Sequence, residues 1–286
     1  MIIYLKSIIY GIIQGLTEFL PVSSSGHIAA FQILFGKVDK ALDSTTYTLL
    51  LHVGTLAAVI LVYYKDVWEL IKSMFSVAKK LLTGKFKFKT LADGEKMFCL
   101  LFMALLPLAI GALIEGFVDA MSGYLICVGV LWLINGLIFL FAESRKIKTR
   151  SFESITPFDA FKVGFFQLFA VLPGISRSGM TIIGGTLFGF KREFAVKFSF
   201  ILSIPAILGS TVITLVKDWN DLDFGNIGVI LAGVAAAFVS GLCAIKLLEY
   251  ITNKHNFKVF AYYCFAIGLL AVGIALGTLK ATGTIL

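Results

Sequence analysis

Polar sequence is scarce in this chain. Only 15% of its residues are charged while 58% are hydrophobic, which excludes an ordinary water-soluble globule, whose composition runs to roughly a quarter charged. The longest polar stretch, about 65–96, is too short for a separate soluble domain and reads as a loop. The four cysteines, Cys99, Cys127, Cys243 and Cys264, all fall in apolar segments without metal-ligand spacing. That excludes a disulfide framework, and they read as small buried residues. The N-terminus carries one lysine and no small-residue cleavage site, so no removable signal peptide is expected. Prolines number only five, so Pro21 and Pro173, each inside an apolar run, are marked positions.

What is abundant is apolar sequence in lengths of about twenty residues, the pattern of an all-α polytopic membrane protein. Six full transmembrane spans are expected, at roughly 45–64, 97–115, 122–142, 194–216, 226–248 and 259–279. Two further apolar regions, 3–35 and 160–190, are broken in the middle by Pro, Gly and Ser. Each is too long for one span and its arms are too short for two, so each reads as a re-entrant helical hairpin. The hairpins resemble each other: shifted by 153 positions, Gly11, Gln14, Ser23, Ser25 and Gly26 meet Gly164, Gln167, Ser176, Ser178 and Gly179. Each copy precedes three spans, and an odd number of crossings inverts the second copy. The expected fold is therefore a single membrane domain, 1–286, built as an inverted-topology repeat. One half is about 1–145 and the other about 155–286, with the two hairpin tips meeting near the midplane.

Charge placement orients this layout. Lys65, Lys72, Lys79, Lys80, Lys85, Lys87, Lys89 and Lys96 crowd one loop, and Arg145, Lys146, Lys148, Arg150, Lys162, Lys191, Arg192, Lys197, Lys246, Lys254 and Lys258 fall on the same side. Asp39, Asp43, Glu115, Asp119, Asp218, Asp221 and Asp223 fall on the other. By the positive-inside rule both termini lie outside the cytoplasm. The net charge of +8 is then a topology signal, with contact to anionic lipid as an addition, and no nucleic-acid partner is expected.

Two charged residues, Glu18 and Arg177, sit deep in apolar sequence, one at each tip. An arginine at the centre of a membrane helix costs roughly 2.5–3.5 kcal/mol to insert, so it calls for a compensating role. After Pro21, Ser23, Ser24 and Ser25 are candidate N-caps of a short helix, as is Ser176 after Pro173-Gly174. Two helix N-termini facing one buried point favour an anion, and the arginine fork suits phosphate or carboxylate. Ser178 and Thr181, three apart, share the arginine's side of the helix. His27 lies three residues after Ser24, on the same face. The plainer alternatives are a structural Glu18–Arg177 ion pair between repeats, serines that only satisfy freed backbone, and a packing histidine. Together these groups read as an activated-nucleophile or acid–base site. His52 could face the cavity but reads first as a packing residue, and His255, in a polar turn, needs no role.

The stretch "QGLTEFLPVSSSGH", followed half a chain later by "PGISRSGMT", resembles the bacitracin-resistance type of undecaprenyl-diphosphate phosphatase, an integral membrane family of bacteria. The resemblance spans essentially the whole chain. It implies hydrolysis of the lipid-carrier diphosphate to the monophosphate, which recycles the carrier for peptidoglycan synthesis and confers bacitracin resistance. It also implies a divalent cation, Mg2+ or Ca2+, a bacterial cytoplasmic membrane, and an active site facing outward. Its motifs carry over onto Gln14 and Glu18, onto Ser24 and His27, and onto Ser176, Arg177 and Thr181 with Ser178 and Gly174 beside them. Where many members have a glutamate, this chain has Gln14, which can ligate a cation but cannot act as a base. Glu18 is left as the only buried acid, with Gln14 beside it as a candidate metal ligand.

On this reading Arg177 and the tip N–H groups neutralise the diphosphate while its polyprenyl chain stays in lipid. Ser24 attacks the terminal phosphorus with His27 or Glu18 taking its proton; direct attack by His27, or by metal-activated water, are alternatives. The competing class is an inverted-repeat transporter or flippase for a lipid phosphate or other anion, which would need neither Ser24 nor His27 as a reactive group. Glycine-rich helix faces and the resemblance are compatible with a homodimer.

Overall fold

A computed structural model describes residues 1–35, 42, 45–145, 148–219, 222, 226–254 and 256–283. Asp39, Asp43, Lys146, Asp221, Asp223 and His255 lie outside the described residues. Within them the chain is all helix and loop, with no strand. The helices, in order, are α1 (Ile2–Phe19), α2 (Ser24–Phe35), α3 (Thr45–Val62), α4 (Tyr64–Leu82), α5 (Asp93–Leu105), α6 (Glu115–Ser122), α7 (Leu125–Ser144), α8 (Pro157–Leu168), α9 (Arg177–Leu187), α10 (Arg192–Lys217), α11 (Ile227–Lys254) and α12 (Lys258–Thr282). Five of these, α1, α7, α10, α11 and α12, are long and apolar enough to cross a membrane, and α3 joins them when taken with α4.

Both expected hairpins appear as helix–break–helix units, α1–α2 and α8–α9. In the first, α1 is itself 18 residues long and sufficient for a crossing, whereas α8 has only 12. The expected span at 97–115 takes a different form. Its α-helix ends at Leu105 and a tighter 3-10 run covers Leu106–Ile114. Pro107 is the cause, because it lacks an N–H and crowds the carbonyl four residues back.

The stretch 65–96 differs most from a loop. α4 fills most of it and bends by 90° from α3. Trp68, Ile71, Phe75 and Leu82 recur along one side of α4 and are exposed, while Lys65, Lys72 and Lys79, seven apart, form the neighbouring stripe. The helix is thus amphipathic, apolar on one face and cationic beside it. Of the cysteines, Cys264 is buried as expected, but Cys243 is exposed on α11.

Close helix packing joins segments distant in sequence. α1 lies against α11, and α8 against α5 and the 3-10 run after it. Gly11 and Gly164, 153 apart, both make these contacts possible: a Cβ at either would collide with a carbonyl, of Gly233 and of Ala104 respectively. A polar knot reinforces the first contact, with Ser7 Oγ donating to Val229 O at 2.6 Å and Tyr47 OH donating to Ser7 O at 2.8 Å. Helix starts are set by local sequence. Thr156 and Asp159 form a reciprocal cap ahead of α8, with Pro157 at its first position.

The clamp between α4 and α5 is ionic. Glu18 is not the only buried acid, as Glu95 and Asp159 are buried too. Glu95, in the first turn of α5, accepts from Ser76 Oγ and Lys80 Nζ on α4, each at 2.6 Å, and from Ala92 N at 2.9 Å. These donors hold its carboxyl down to about 2, from an ordinary value near 4.5. Between those values the unfolded chain binds more protons than the folded one, so the clamp's contribution is full above pH 4.5 and is lost as pH falls toward 2. Glu95→Gln should lower the melting temperature in detergent at neutral pH, and the gap to wild type should narrow over that acid window. A gap that stays constant across the window would show that Glu95 is not the titrating clamp.

Candidate active site

The two breaks are built alike. Leu20 leaves α1 in extended conformation, and Ser23 then takes φ +73°, the one non-glycine residue with positive φ among the described residues. Such a conformation carries strain and clusters at functional sites. It turns the Ser23 hydroxyl to accept from Gly26 N at 3.2 Å, capping α2. In the second break Gly174 supplies the positive φ, +113°, and Ser176 caps α9 by accepting from Gly179 N at 3.1 Å. Ser23 and Ser25 hydroxyls lie 3.3 Å apart, as Ser176 and Ser178 lie 3.1 Å apart. Each of these pairings in the first tip recurs in the second at the offset of 153.

The tips touch. Gly174 N donates to Ser23 Oγ at 3.1 Å, and Ser178 Oγ donates to Leu20 O at 3.3 Å. Two residues of α7 complete the joint. Trp132 Nε1 donates to Val22 O at 2.9 Å, while the fully buried Asn135 donates from Nδ2 to Pro21 O at 3.4 Å and accepts from Ser176 N at Oδ1, 3.3 Å. Neither residue stood out in the sequence. An asparagine inside an apolar span is the signal that was available, since a buried amide needs partners.

Between the tips lies a cavity of about 230 Å³, lined by Glu18, Ser23, Ser24, Ser25, Ser176, Arg177 and His52, with Thr17, Ile175 and residues of α10. Because Ser24, Ser25 and Arg177 all line it, the first turns of α2 and α9 open onto the same space, and their leading N–H groups have no helical acceptor. Glu18 is the hub. Its Oε1 accepts from Arg177 Nη2 at 2.8 Å; its Oε2 accepts from Ser24 Oγ at 2.8 Å and from Gln14 Nε2 at 2.9 Å. His52 Nε2 stands 3.9 Å from the same Oε2, with Nδ1 2.9 Å from Thr48 O. Arg177 has one terminal nitrogen, Nη1, buried without a hydrogen-bond partner. An orphaned guanidinium N–H costs about 1–3 kcal/mol or more, and an anion in the cavity would relieve that cost.

The other sequence candidates fall behind the cavity wall. Thr181 is fully buried and its hydroxyl serves Arg177 O, Ser178 O and Ser199 Oγ. Ser178 and Gly174 are committed to the inter-tip contacts. His27 does not line the cavity: Nδ1 is 2.7 Å from Ser23 O and Nε2 is 2.8 Å from Tyr263 OH, on whose ring it stacks. His52, expected to be packing, is the histidine that faces Glu18. The apolar sequence around it left that as the lesser of two readings, because the cavity is formed by segments distant in sequence.

The donor set bears on a cation. No group of three or more His, Cys, Asp or Glu side chains suited to a metal occurs among the described residues. One carboxylate with an adjacent amide and hydroxyl suits a hard cation that takes its remaining ligands from phosphate and water.

Comparison with known proteins follows this geometry. The family described as "Bacitracin resistance protein BacA" matches residues 7–270. A protein named undecaprenyl-diphosphatase from Alkaliphilus metalliredigens is 39% identical over 270 residues, covering 93% of this chain and 97% of its own length. One of the same name from Methanococcus vannielii is 35% identical, with 94% and 99% covered. Undecaprenyl-diphosphatase 1 of Burkholderia ambifaria is 36% identical, with 95% of each chain covered.

Replacing Asn135 with leucine removes the bridge between the tips and leaves the Ser176 N–H and Pro21 C=O without their partner. The expected loss is about 1–3 kcal/mol for each group left unpaired. Thermal unfolding in detergent should register it as a clear drop in melting temperature; a variant that melts with wild type would mean the tips are held without Asn135.

Proposed function

The chain belongs to the bacitracin resistance protein family, and from that premise we propose how its cavity hydrolyses undecaprenyl diphosphate to undecaprenyl phosphate and inorganic phosphate. This enzyme activity returns the lipid carrier to peptidoglycan synthesis. The observation that carries the mechanism is the double use of Glu18, one oxygen on the Ser24 hydroxyl and the other on Arg177.

The diphosphate head enters the cavity with its polyprenyl chain in lipid. Arg177, through the free Nη1 and the α9 N-terminus, binds the terminal phosphoryl group, and the α2 N-terminus adds N–H donors. Ser23, Ser25 and Ser176 line the same space. Ser24 Oγ attacks the terminal phosphorus as Glu18 takes its proton. The bridging P–O bond breaks, undecaprenyl phosphate leaves, and the phosphoryl group rests on Ser24. The first proton leaves Glu18 with the departing undecaprenyl phosphate, so the carboxylate is free again. Water then attacks the phosphorus, its proton passing to Glu18, and phosphate departs as Ser24 takes that proton back from Glu18. The hydrogen bond from Ser24 favours Glu18 over His27 as the base, since both ring nitrogens of His27 are engaged elsewhere. His27 becomes a positioning residue that fixes the strained Ser23 turn. Behind the wall Ser178, Thr181 and Gly174 likewise hold Arg177 and the tip in place. His52 sits against Glu18, where it supports the carboxylate through the proton transfers.

A divalent cation, Mg2+ or Ca2+, would be held by Glu18 and Gln14 together with substrate phosphate. When bound it would neutralise phosphate charge.

The matched tip contacts support an inverted repeat of two halves, about 1–145 and 155–286. Charge placement supports both termini outside the cytoplasmic membrane and a cavity open to the outer face. Gly273 and Gly277 on α12, four apart with open space beside each, support a homodimer through that face.

Phosphate release from undecaprenyl diphosphate by purified protein tests the assignment. Glu18→Gln should lower kcat by about 10²–10⁴-fold and Arg177→Ala by about 10²–10³-fold. Ser24→Ala should be inactive, His52→Ala should fall between it and wild type, and EDTA should abolish release. Full activity in Ser24→Ala would sink the serine mechanism. No release from well-folded wild type would point to the transporter, with Arg177 as its anion-binding residue.

A further inference from the structure

Away from the catalytic cavity, a cavity lined by apolar side chains lies on the basic side of the molecule. It measures about 450 Å³ and is framed by α4, α5 and the segment between them. Met74, Val77 and Leu81 of α4 face Cys99, Phe102 and Met103 of α5 across it. The connecting segment reads "KFKFK", residues 85–89. Its alternation is resolved in space: Phe86 and Phe88 are half-buried and line the cavity, while Lys85, Lys87 and Lys89 are exposed.

Two features distinguish this from a packing defect. The Glu95 clamp pins α4 to α5, so the cavity is a built gap between helices held by an ionic lock. The residues next in sequence to its lining are also cationic. Lys79, Lys85, Lys87 and Lys89 have no carboxylate within 4.0 Å among the described residues, unlike Lys80, which Glu95 neutralises. Trp68, Ile71 and Phe75 are exposed on α4 and continue its apolar surface. An apolar slot whose connecting segment carries unpaired lysines is complementary to one class of molecule, with a hydrocarbon tail and an anionic head.

We propose that this cavity binds an anionic phospholipid of the surrounding bilayer, an acyl chain between α4 and α5 and its headgroup phosphate on Lys85, Lys87 and Lys89. The site is separate from the catalytic one, shares no lining residue with it, and is independent of the reaction assigned there. A juxtamembrane lysine contributes about 1 kcal/mol toward anionic lipid, roughly fivefold in occupancy.

The full chain in phosphatidylcholine nanodiscs, with trace phosphatidylglycerol carrying a diazirine on its acyl chain, tests the proposal. After photolysis, peptide mass spectrometry should place label on the α5 segment holding Cys99 and Met103. A phosphatidylcholine probe of the same chain should label it far less. Each of Lys85→Gln, Lys87→Gln and Lys89→Gln should cut that preference by about fivefold. Met103→Trp, which fills the slot and keeps the lysines, should abolish label on α5. Equal labelling by the two probes, label spread evenly over the lipid-facing helices, or cross-links joining two copies at this face would each overturn it. Phosphate release by every variant, unchanged from wild type, verifies folding separately.

Discussion

The buried ion pair between Glu18 and Arg177 is the constraint on which the site depends. Each charge alone would be expensive at that depth, and pairing them is what makes both tolerable. The pair also reaches between two breaks 159 residues apart, so neither hairpin tip presents its chemistry without the other. Glu18 is not consumed by the pairing. One of its oxygens remains aimed at Ser24, and Arg177 keeps one N–H unsatisfied. A purely structural pair would leave neither.

The two tips share a scaffold and divide the chemistry. At the offset of 153, Ser23 and Ser176 cap equivalent helices, and Gly11 and Gly164 permit equivalent helix contacts. At the same offset, Ser24 corresponds to Arg177 and Glu18 to Val171. One tip thus supplies the hydroxyl and the carboxylate, the other the cation. Gln167, matching Gln14, has no acid to serve and is buried without a partner for either polar atom. The two tips match in their capping contacts and differ at the few positions that carry charge or a cavity-facing hydroxyl.

Much of this was legible in sequence because it is local. Caps, breaks and glycines announce themselves within a few residues, which is why Ser23, Ser176 and Gly174 were identifiable, and why Glu18 and Arg177 stood out in apolar surroundings. The illegible part is what folding brings in from elsewhere. His52 and Asn135 lie on spans whose faces cannot be assigned without their neighbours, so a cavity-facing histidine and a tip-bridging amide looked like packing. His27 shows the reverse: three residues from Ser24 on one helix, it is nonetheless drawn away by Tyr263 of α12. Charge density misled at 65–96, where it suggested a loop, and the seven-residue lysine spacing of α4 was the better guide.

The most direct test of the central claim is rapid-quench turnover with substrate labelled in its terminal phosphate, followed by mapping of any labelled residue. If Glu18 and Arg177 together present Ser24 to that phosphorus, label should appear transiently on Ser24 at a rate that keeps pace with turnover, and should be lost in Glu18→Gln. Turnover at full rate with no label ever reaching Ser24 would contradict the account and leave water as the attacking group.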